Sequence, residues 1–139
     1  MSGNLKSKTN LIIHLDFDGT VVEHAYPGIG REVPHAMRVI KRLQNAGHQI
    51  SLNTMRVEMD QKELRKALDY LNYHYKVELT PITVSSKEKI YPVWEPSNKE
   101  VLFIDDSAQG TPLIPAVYDG INMVDWLRVE QILMENKIL

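Results

Sequence analysis

The sequence predicts an α/β domain built as a three-layer sandwich, with a parallel sheet between helices. The apolar runs 11–15 and 101–104 hardly alternate with charged residues, which is typical of strands that are buried in a parallel sheet. Strand-like and helical patterns alternate along the chain, and strands separated by helices pair in parallel through right-handed crossovers. These observations together predict the fold class.

The first half of the chain predicts a strand, a loop and a helix in that order. Residues 10–15 form the strand, and the loop 21–32 contains Pro27, Gly28 and Gly30, which favour turns. A helix is predicted over 33–46, because Pro34 suits the first turn of a helix and Gly47 can end it.

The second half continues the alternation. A strand at 48–53 is followed by Asp60 and Glu63, which are spaced as a capping box at the start of a second helix. Two further strands are predicted at 80–84 and 100–104, a possible edge strand at 121–124, and a last helix capped by Asp125. The connection 85–98 carries Pro92 and Pro96, which exclude a long helix there.

Length and composition predict one domain over residues 10–139, preceded by a flexible tail over residues 1–9. The chain has 139 residues, 43% of them hydrophobic and 24% charged, which is ordinary for a globular protein. A net charge of −2 gives no strong signal for nucleic acid. With no cysteine, no secretory signal and no apolar stretch of membrane-spanning length, we expect a cytoplasmic protein that does not enter membranes. Its oligomeric state is left open.

Polar residues follow each predicted strand where it ends. Asp16 and Asp18 end the first strand, and their spacing of two turns both side chains the same way. The later strands are followed by a hydroxyl, by cations and by a second acidic pair: Thr54 and Arg56; Ser85, Ser86, Lys87 and Lys89; Asp105 and Asp106. Because ligands of open parallel sheets collect at the carboxyl ends of the strands, these side chains are expected to converge.

Four carboxylates in one small region repel one another unless a cation offsets their charge. Mg²⁺ fits such a set best, since it prefers oxygen ligands and keeps several waters, whereas the histidines and cysteines that zinc favours are missing from this cluster. The sequence therefore predicts a magnesium site.

The segment from Asp16 to Thr20, Asp-Phe-Asp-Gly-Thr, resembles motif I of the haloacid dehalogenase (HAD) superfamily of phosphotransferases. The resemblance implies a Rossmann-like sheet, with Asp16 as the nucleophile that takes up a phosphoryl group and Asp18 as the general acid and base. The segments 17–24, 26–30, 105–113 and 124–126 are similar to a branch of small HAD proteins that have no cap domain. One departure is Ser107, where that branch often has a basic residue.

The remaining HAD motifs have candidates. Residues 50–54, Ile-Ser-Leu-Asn-Thr, resemble motif II, which implies that the hydroxyl of Thr54 binds the phosphoryl group. Residues 101–106, Val-Leu-Phe-Ile-Asp-Asp, resemble motif IV, which implies metal ligation together with Asp16 and the backbone carbonyl of Asp18. Asp106 is favoured as the direct ligand over Asp105.

The sequence pattern leaves alternatives open for the lysine of motif III and for the role of Arg56. Motif III requires a lysine, for which Lys87 is preferred and Lys89 is second. Arg56 could grip a second anionic group of the substrate, because a guanidinium suits bidentate contacts, or it could be an ordinary surface arginine.

The resemblance implies a magnesium-dependent phosphatase that hydrolyses a phosphate monoester through an aspartyl-phosphate on Asp16. The short loop 21–32 serves as a minimal cap, so the expected substrate is a small phosphorylated metabolite or a macromolecular phosphate at an open site. Two alternatives remain: a low-activity regulatory module that binds metal and phosphate, and phosphotransfer to an acceptor other than water.

Overall fold

A parallel sheet forms the centre of the molecule. The computed structural model describes residues 10–75, 83–84 and 92–139. Its main sheet has the strand order β3-β2-β1-β4, and all three pairings are parallel. The strands are β1 (Ile12–Leu15), β2 (Gln49–Leu52), β3 (Thr83–Val84) and β4 (Val101–Ile104). The predicted α/β class with a parallel sheet is therefore confirmed.

Four helices accompany the sheet within the described residues: α1 (Ala36–Asn45), α2 (Arg56–Met59), α3 (Gln61–Tyr75) and α4 (Trp126–Glu135). Helix α1 begins at Ala36 rather than at residue 33, because His35 has a left-handed backbone conformation with φ 69°. The Glu32 carboxylate accepts a hydrogen bond from the Met37 N–H at 2.8 Å and so supplies negative charge at the start of α1. None of these helices has the length and apolar content needed to cross a lipid bilayer.

Only half of the predicted capping box forms at the start of α3. The Asp60 carboxylate accepts a hydrogen bond from the Lys62 N–H at 2.8 Å, as a capping residue does. Glu63 does not reach back to Asp60, whose N–H instead donates to the Arg56 carbonyl at the end of the short helix α2. The Glu63 carboxylate pairs with Lys66 at 2.9 Å. At α4, the Asp125 carboxylate caps the helix through the Arg128 N–H as predicted.

The hydrophobic core lies on one face of the sheet. The buried apolar residues of β1, β2 and β4 that are in register all point to that face: Ile13, Leu15, Ile50, Leu52, Leu102 and Ile104. The apolar residues of α1, α3 and α4 pack into the same core, with α1 in contact with both other helices. On the opposite face Ile12 is 43% exposed, so β1 is less buried than its apolar run predicts.

The described helices thus form one layer rather than two. Successive right-handed crossovers from β1 to β2 and from β2 to β3 place α1 and α3 on the same face. A helix on the other face would have to come from the connection between β3 and β4. That connection is non-helical over residues 92–98, where both prolines lie, and residues 85–91 lie outside the described ones.

The predicted edge strand near residue 121 belongs to a separate hairpin. Strand β6 (Asn122–Val124) pairs antiparallel with β5 (Leu113–Pro115), which the sequence did not predict. The Val124 N–H donates to the Gly19 carbonyl at 3.0 Å. The hairpin is thereby attached to the loop after β1 instead of extending the main sheet.

A buried histidine anchors the C-terminus at the amino-terminal edge of the sheet. His48 is 1% exposed, and its Nδ1 accepts a hydrogen bond from the Leu11 N–H at 2.9 Å. Because Nδ1 accepts, the ring proton resides on Nε2 and is donated to the Ile138 carbonyl, also at 2.9 Å. His48 thus joins the start of β1 to the chain end.

A charged network joins α1 to α4. Both oxygens of the Glu130 carboxylate accept bonds from Arg38 at 2.6 and 2.9 Å, and Arg42 adds a third bond at 2.7 Å. The hydrogen bonds from Arg38, and after them the one from Arg42, lower the pKa of Glu130 from its ordinary 4.5 to about 2. The network therefore keeps Glu130 ionised well into acid.

This network predicts a pH-dependent contribution to stability. Because the pKa of Glu130 is depressed in the folded state, the contribution is complete above pH 4.5 and is lost as the pH falls toward about 2. We expect Glu130→Gln to lower the free energy of unfolding by a small amount at neutral pH, since Arg38 and Arg42 are 48% and 41% exposed. Urea unfolding of wild type and variant between pH 2 and pH 7 measures the difference, which should shrink in acid. Glu135→Gln, on the same helix, is the control, and an equal deficit at every pH would contradict the assignment.

Candidate metal and phosphoryl-transfer site

The parallel register brings polar residues from three strands to the carboxyl edge of the sheet. Leu15 lies level with Leu52 and with Ile104. The Asn53 N–H donates to the Leu15 carbonyl at 2.8 Å, and the Asp16 N–H donates to the Ile104 carbonyl at 3.0 Å. The residues that follow β1, β2 and β4 therefore begin at the same level, at one edge of the sheet.

Three carboxylates meet at this edge. Asp16, Asp105 and Asp106 each offer an oxygen, and these atoms all lie within 4.8 Å of one another. Asp16 is 6% exposed and Asp105 is 1% exposed. Such close negative charges in a low-dielectric environment repel strongly, and a hard divalent cation, which prefers oxygen ligands, would offset the repulsion. The donor set fits Mg²⁺.

Asp105 and Asp106, the two acids that follow β4, have different hydrogen-bond partners. The Asp105 carboxylate accepts hydrogen bonds from the Ser107 N–H at 2.9 Å and from the Ser107 hydroxyl at 2.7 Å. An oxygen of Asp106 lies 2.9 Å from the Nε2 atom of His24. Both carboxylates belong to the cluster, so the preference for Asp106 as the direct ligand stays a prediction. Ser107, which departs from the HAD pattern, orients Asp105.

The hydroxyl of Thr20 connects the two halves of the cluster. It donates to the Asp16 carboxylate at 3.1 Å and accepts from the Asp106 N–H at 3.1 Å. The carbonyl of Thr20 accepts a 2.7 Å hydrogen bond from the indole of Trp126, which is 1% exposed at the start of α4. Thr20 is not among the site residues predicted from the sequence, yet its hydroxyl orients Asp16.

Gly19 allows the turn to pass beneath Asp106. Its φ is +82°, which L side chains rarely adopt, and a Cβ atom there would collide with the Asp106 carboxylate and the His24 ring. His24 is a further residue that sequence reasoning left out. It lies 82 positions from Asp106 along the chain, and its place at the end of the segment 17–24, which is similar to small HAD proteins, is the available sequence signal.

Thr54 and Asp18 lie at the same edge but outside the carboxylate cluster. The Thr54 side chain is 1% exposed, and its oxygen accepts a hydrogen bond from the Arg56 N–H at 3.2 Å. Both oxygens of Asp18 accept hydrogen bonds from the Arg56 guanidinium, at 2.8 and 2.9 Å. The roles of Thr54 toward phosphate and of the Asp18 carbonyl toward metal stay predictions.

Of the basic side chains predicted for the site, the structure describes Arg56 but neither lysine. Arg56 is 1% exposed, so it is not an ordinary surface arginine, and its role as a ligand of the substrate stays a prediction. Lys87 and Lys89, the candidates for motif III, lie outside the described residues, as do Ser85 and Ser86.

Comparison with known proteins supports the fold and names no activity. A solved structure of a conserved protein coded by a locus from Bacteroides thetaiotaomicron is similar, with 27% sequence identity and a TM-score of 0.57. The match covers 91% of this chain and 91% of that chain. No protein-family model and no curated protein matches the sequence.

The cluster predicts that Mg²⁺ stabilises the folded protein. A cation that binds only the native state adds about 2.7 kcal/mol to the free energy of unfolding when its concentration is about 100 times Kd. We expect thermal unfolding to shift upward with Mg²⁺ in wild type and to lose most of that response in Asp106→Asn. Asp69→Asn, which removes an exposed carboxylate of α3, is the control with the same charge change. Equal Mg²⁺ responses in wild type and Asp106→Asn would contradict the site.

Proposed function

We propose that this protein is a magnesium-dependent phosphatase of the HAD type, which hydrolyses a phosphate monoester through an aspartyl-phosphate on Asp16. The observation that carries the proposal is the convergence of Asp16 with Asp105 and Asp106 at the carboxyl edge of a parallel sheet. The first acid comes from the motif I segment and the other two from the motif IV segment, so residues that are distant in sequence meet as the resemblance requires. A full HAD sandwich and a cytoplasmic location are parts of the same proposal.

The three carboxylates are the residues that would hold the metal. When bound, Mg²⁺ offsets the negative charges of the carboxylates and of the phosphate, so that one anion can approach another. This offset of charge is needed because the Asp16 carboxylate is proposed to attack a phosphate group that is itself negatively charged. The donor set consists of carboxylate oxygens from two neighbouring strand ends, which is the chemistry that a hard cation prefers.

In the first step Asp16 attacks phosphorus in line, so that a bond forms from its oxygen to phosphorus and the bond to the leaving oxygen breaks. The hydrogen bond from Thr20 orients the attacking carboxylate. Asp18, which must be protonated at the start of this step, gives its proton to the leaving oxygen, and the hydroxyl of Thr54 donates to an oxygen of the transferring group. Phosphoryl transfer depends mainly on such positioning and charge stabilisation.

In the second step water attacks the phosphorus of the aspartyl-phosphate, and the bond to Asp16 breaks. Asp18 takes the proton of that water, which returns both acids to their starting states. Because the reaction is divided into two displacements, Asp16 and Asp18 act in both of them. Lys87, or Lys89, would add positive charge near the transferring group.

The flap, residues 21–32, supports an open site. It is tied at its base by hydrogen bonds from the Glu23 N–H to the Arg31 carbonyl and from the Val33 N–H to the Val21 carbonyl. Such a short loop covers little surface, so substrate classes from sugar phosphates and nucleotides to phosphorylated macromolecules remain open. A panel of phosphate esters assayed with Mg²⁺ would rank these classes.

The proposal predicts phosphate release from an aryl phosphate that needs both Mg²⁺ and Asp16. We expect Asp16→Asn to lower kcat/KM by at least about 10³-fold, because the amide cannot form the covalent intermediate. Release of inorganic phosphate measures the loss, and Asp69→Asn should retain wild-type activity.

Two outcomes would overturn the phosphatase assignment. Equal turnover by wild type and Asp16→Asn would show that the phosphate release does not use this site. Mg²⁺ binding by a wild type that releases no phosphate from any ester of the panel would favour the metal-binding and phosphate-binding regulatory module. Phosphoryl products formed with added alcohols would identify transfer to an acceptor other than water.

A further inference from the structure

Arg56 uses all of its hydrogen-bond donors inside the protein. Its Nε donates to Asp18 at 2.9 Å, and one terminal nitrogen donates to Asp18 at 2.8 Å and to the Gly28 carbonyl at 2.7 Å. The other terminal nitrogen donates to the carbonyls of Glu63 at 3.1 Å and Pro27 at 3.3 Å. A guanidinium has five N–H donors, and five acceptors are found here. None is left over for a substrate in this conformation.

These contacts join three separate parts of the chain. Asp18 belongs to the loop after β1, Pro27 and Gly28 to the flap, and Glu63 to the first turn of α3. Aromatic rings add to the enclosure, since the guanidinium carbon lies 5.2 Å from the centre of the Phe17 ring and 4.9 Å from that of Tyr26. A cation with these rings against it and 1% exposure has lost its water and depends on its partners.

We propose that Arg56 is a positioning residue, which holds Asp18 and the flap as one unit and thereby fixes the place from which the general acid and base acts. The inference rests on the proposed phosphatase function for its kinetic consequence. A two-pronged contact between guanidinium and carboxylate fixes the plane of the carboxylate, which a single-point ammonium cannot do. Arg56 therefore acts on the reaction through Asp18, and this inference replaces the substrate contact predicted for Arg56 from the sequence.

The kinetic test compares esters whose leaving groups differ in their need for a proton. An alkyl phosphate, such as glycerol phosphate, releases an alkoxide that must be protonated, whereas dinitrophenyl phosphate releases a stable phenolate. Positioned proton transfer contributes about 10²-fold to 10⁴-fold. We expect Arg56→Gln to lower kcat/KM for the alkyl ester by about 100-fold or more and to have a much smaller effect on the dinitrophenyl ester.

Rescue and a matched control separate positioning from damage to the fold. Arg56→Lys keeps the charge without the two-pronged contact, so its loss on the alkyl ester should fall between those of wild type and Arg56→Gln. If Arg56→Gln does not fold, Arg56→Lys carries the test alone. His48→Ala, which destabilises the opposite edge of the sheet, should change both esters by the same factor. Parallel losses on both esters in the Arg56 variants would overturn the inference.

A second measurement does not depend on activity. The Gly28 N–H donates to the Ala25 carbonyl and the Glu23 N–H to the Arg31 carbonyl, so amide exchange at these positions reports flap order. We expect faster exchange there in Arg56→Lys, with unchanged exchange in β1; unchanged exchange in the flap would overturn the inference. A wild type that hydrolyses neither ester would count against the phosphatase function, and the flap amides would still decide whether Arg56 holds this unit.

Discussion

The mutual repulsion of three carboxylates is the constraint on which the rest of the site depends. Asp16, Asp105 and Asp106 are brought together by the pairing of β1 with β4, a register that the hydrophobic core requires. Folding alone gains nothing from placing these charges within 4.8 Å of one another. The apolar core therefore sets the geometry of the cluster, and the repulsion among its carboxylates opposes folding.

The loop after β1 shows how the protein maintains this arrangement. The hydroxyl of Thr20 links Asp16 to the Asp106 backbone, and Trp126 holds Thr20 from the start of α4. On the other side Arg56 links Asp18 to the flap. Asp16 and Asp18 are two residues apart, yet they are held by different parts of the molecule. This division matches the two tasks that the proposed function gives these carboxylates, nucleophilic attack for Asp16 and proton transfer for Asp18.

The sequence alone could predict the parts of the site that follow from strand ends. Apolar runs mark the strands, and parallel pairing brings the residues that follow them to one edge, which is why Asp16, Asp105 and Asp106 meet in one carboxylate cluster. The partners of Arg56 and His24 depend on how the flap folds back, and periodicity contains no signal for that. The second helical layer stays a prediction, because residues 85–91 of the connection that would supply it lie outside the described ones, and Pro92 and Pro96 limit a helix in the rest of that connection.

Trapping the covalent intermediate tests the central claim most directly. Wild type mixed with a phosphate ester and Mg²⁺, quenched in acid and digested, should give a peptide containing Asp16 that is heavier by one phosphoryl group. Fragmentation should place that group on Asp16 rather than on Asp18. Turnover with no phosphorylated peptide, or with the phosphoryl group on a residue outside the cluster, would contradict the account.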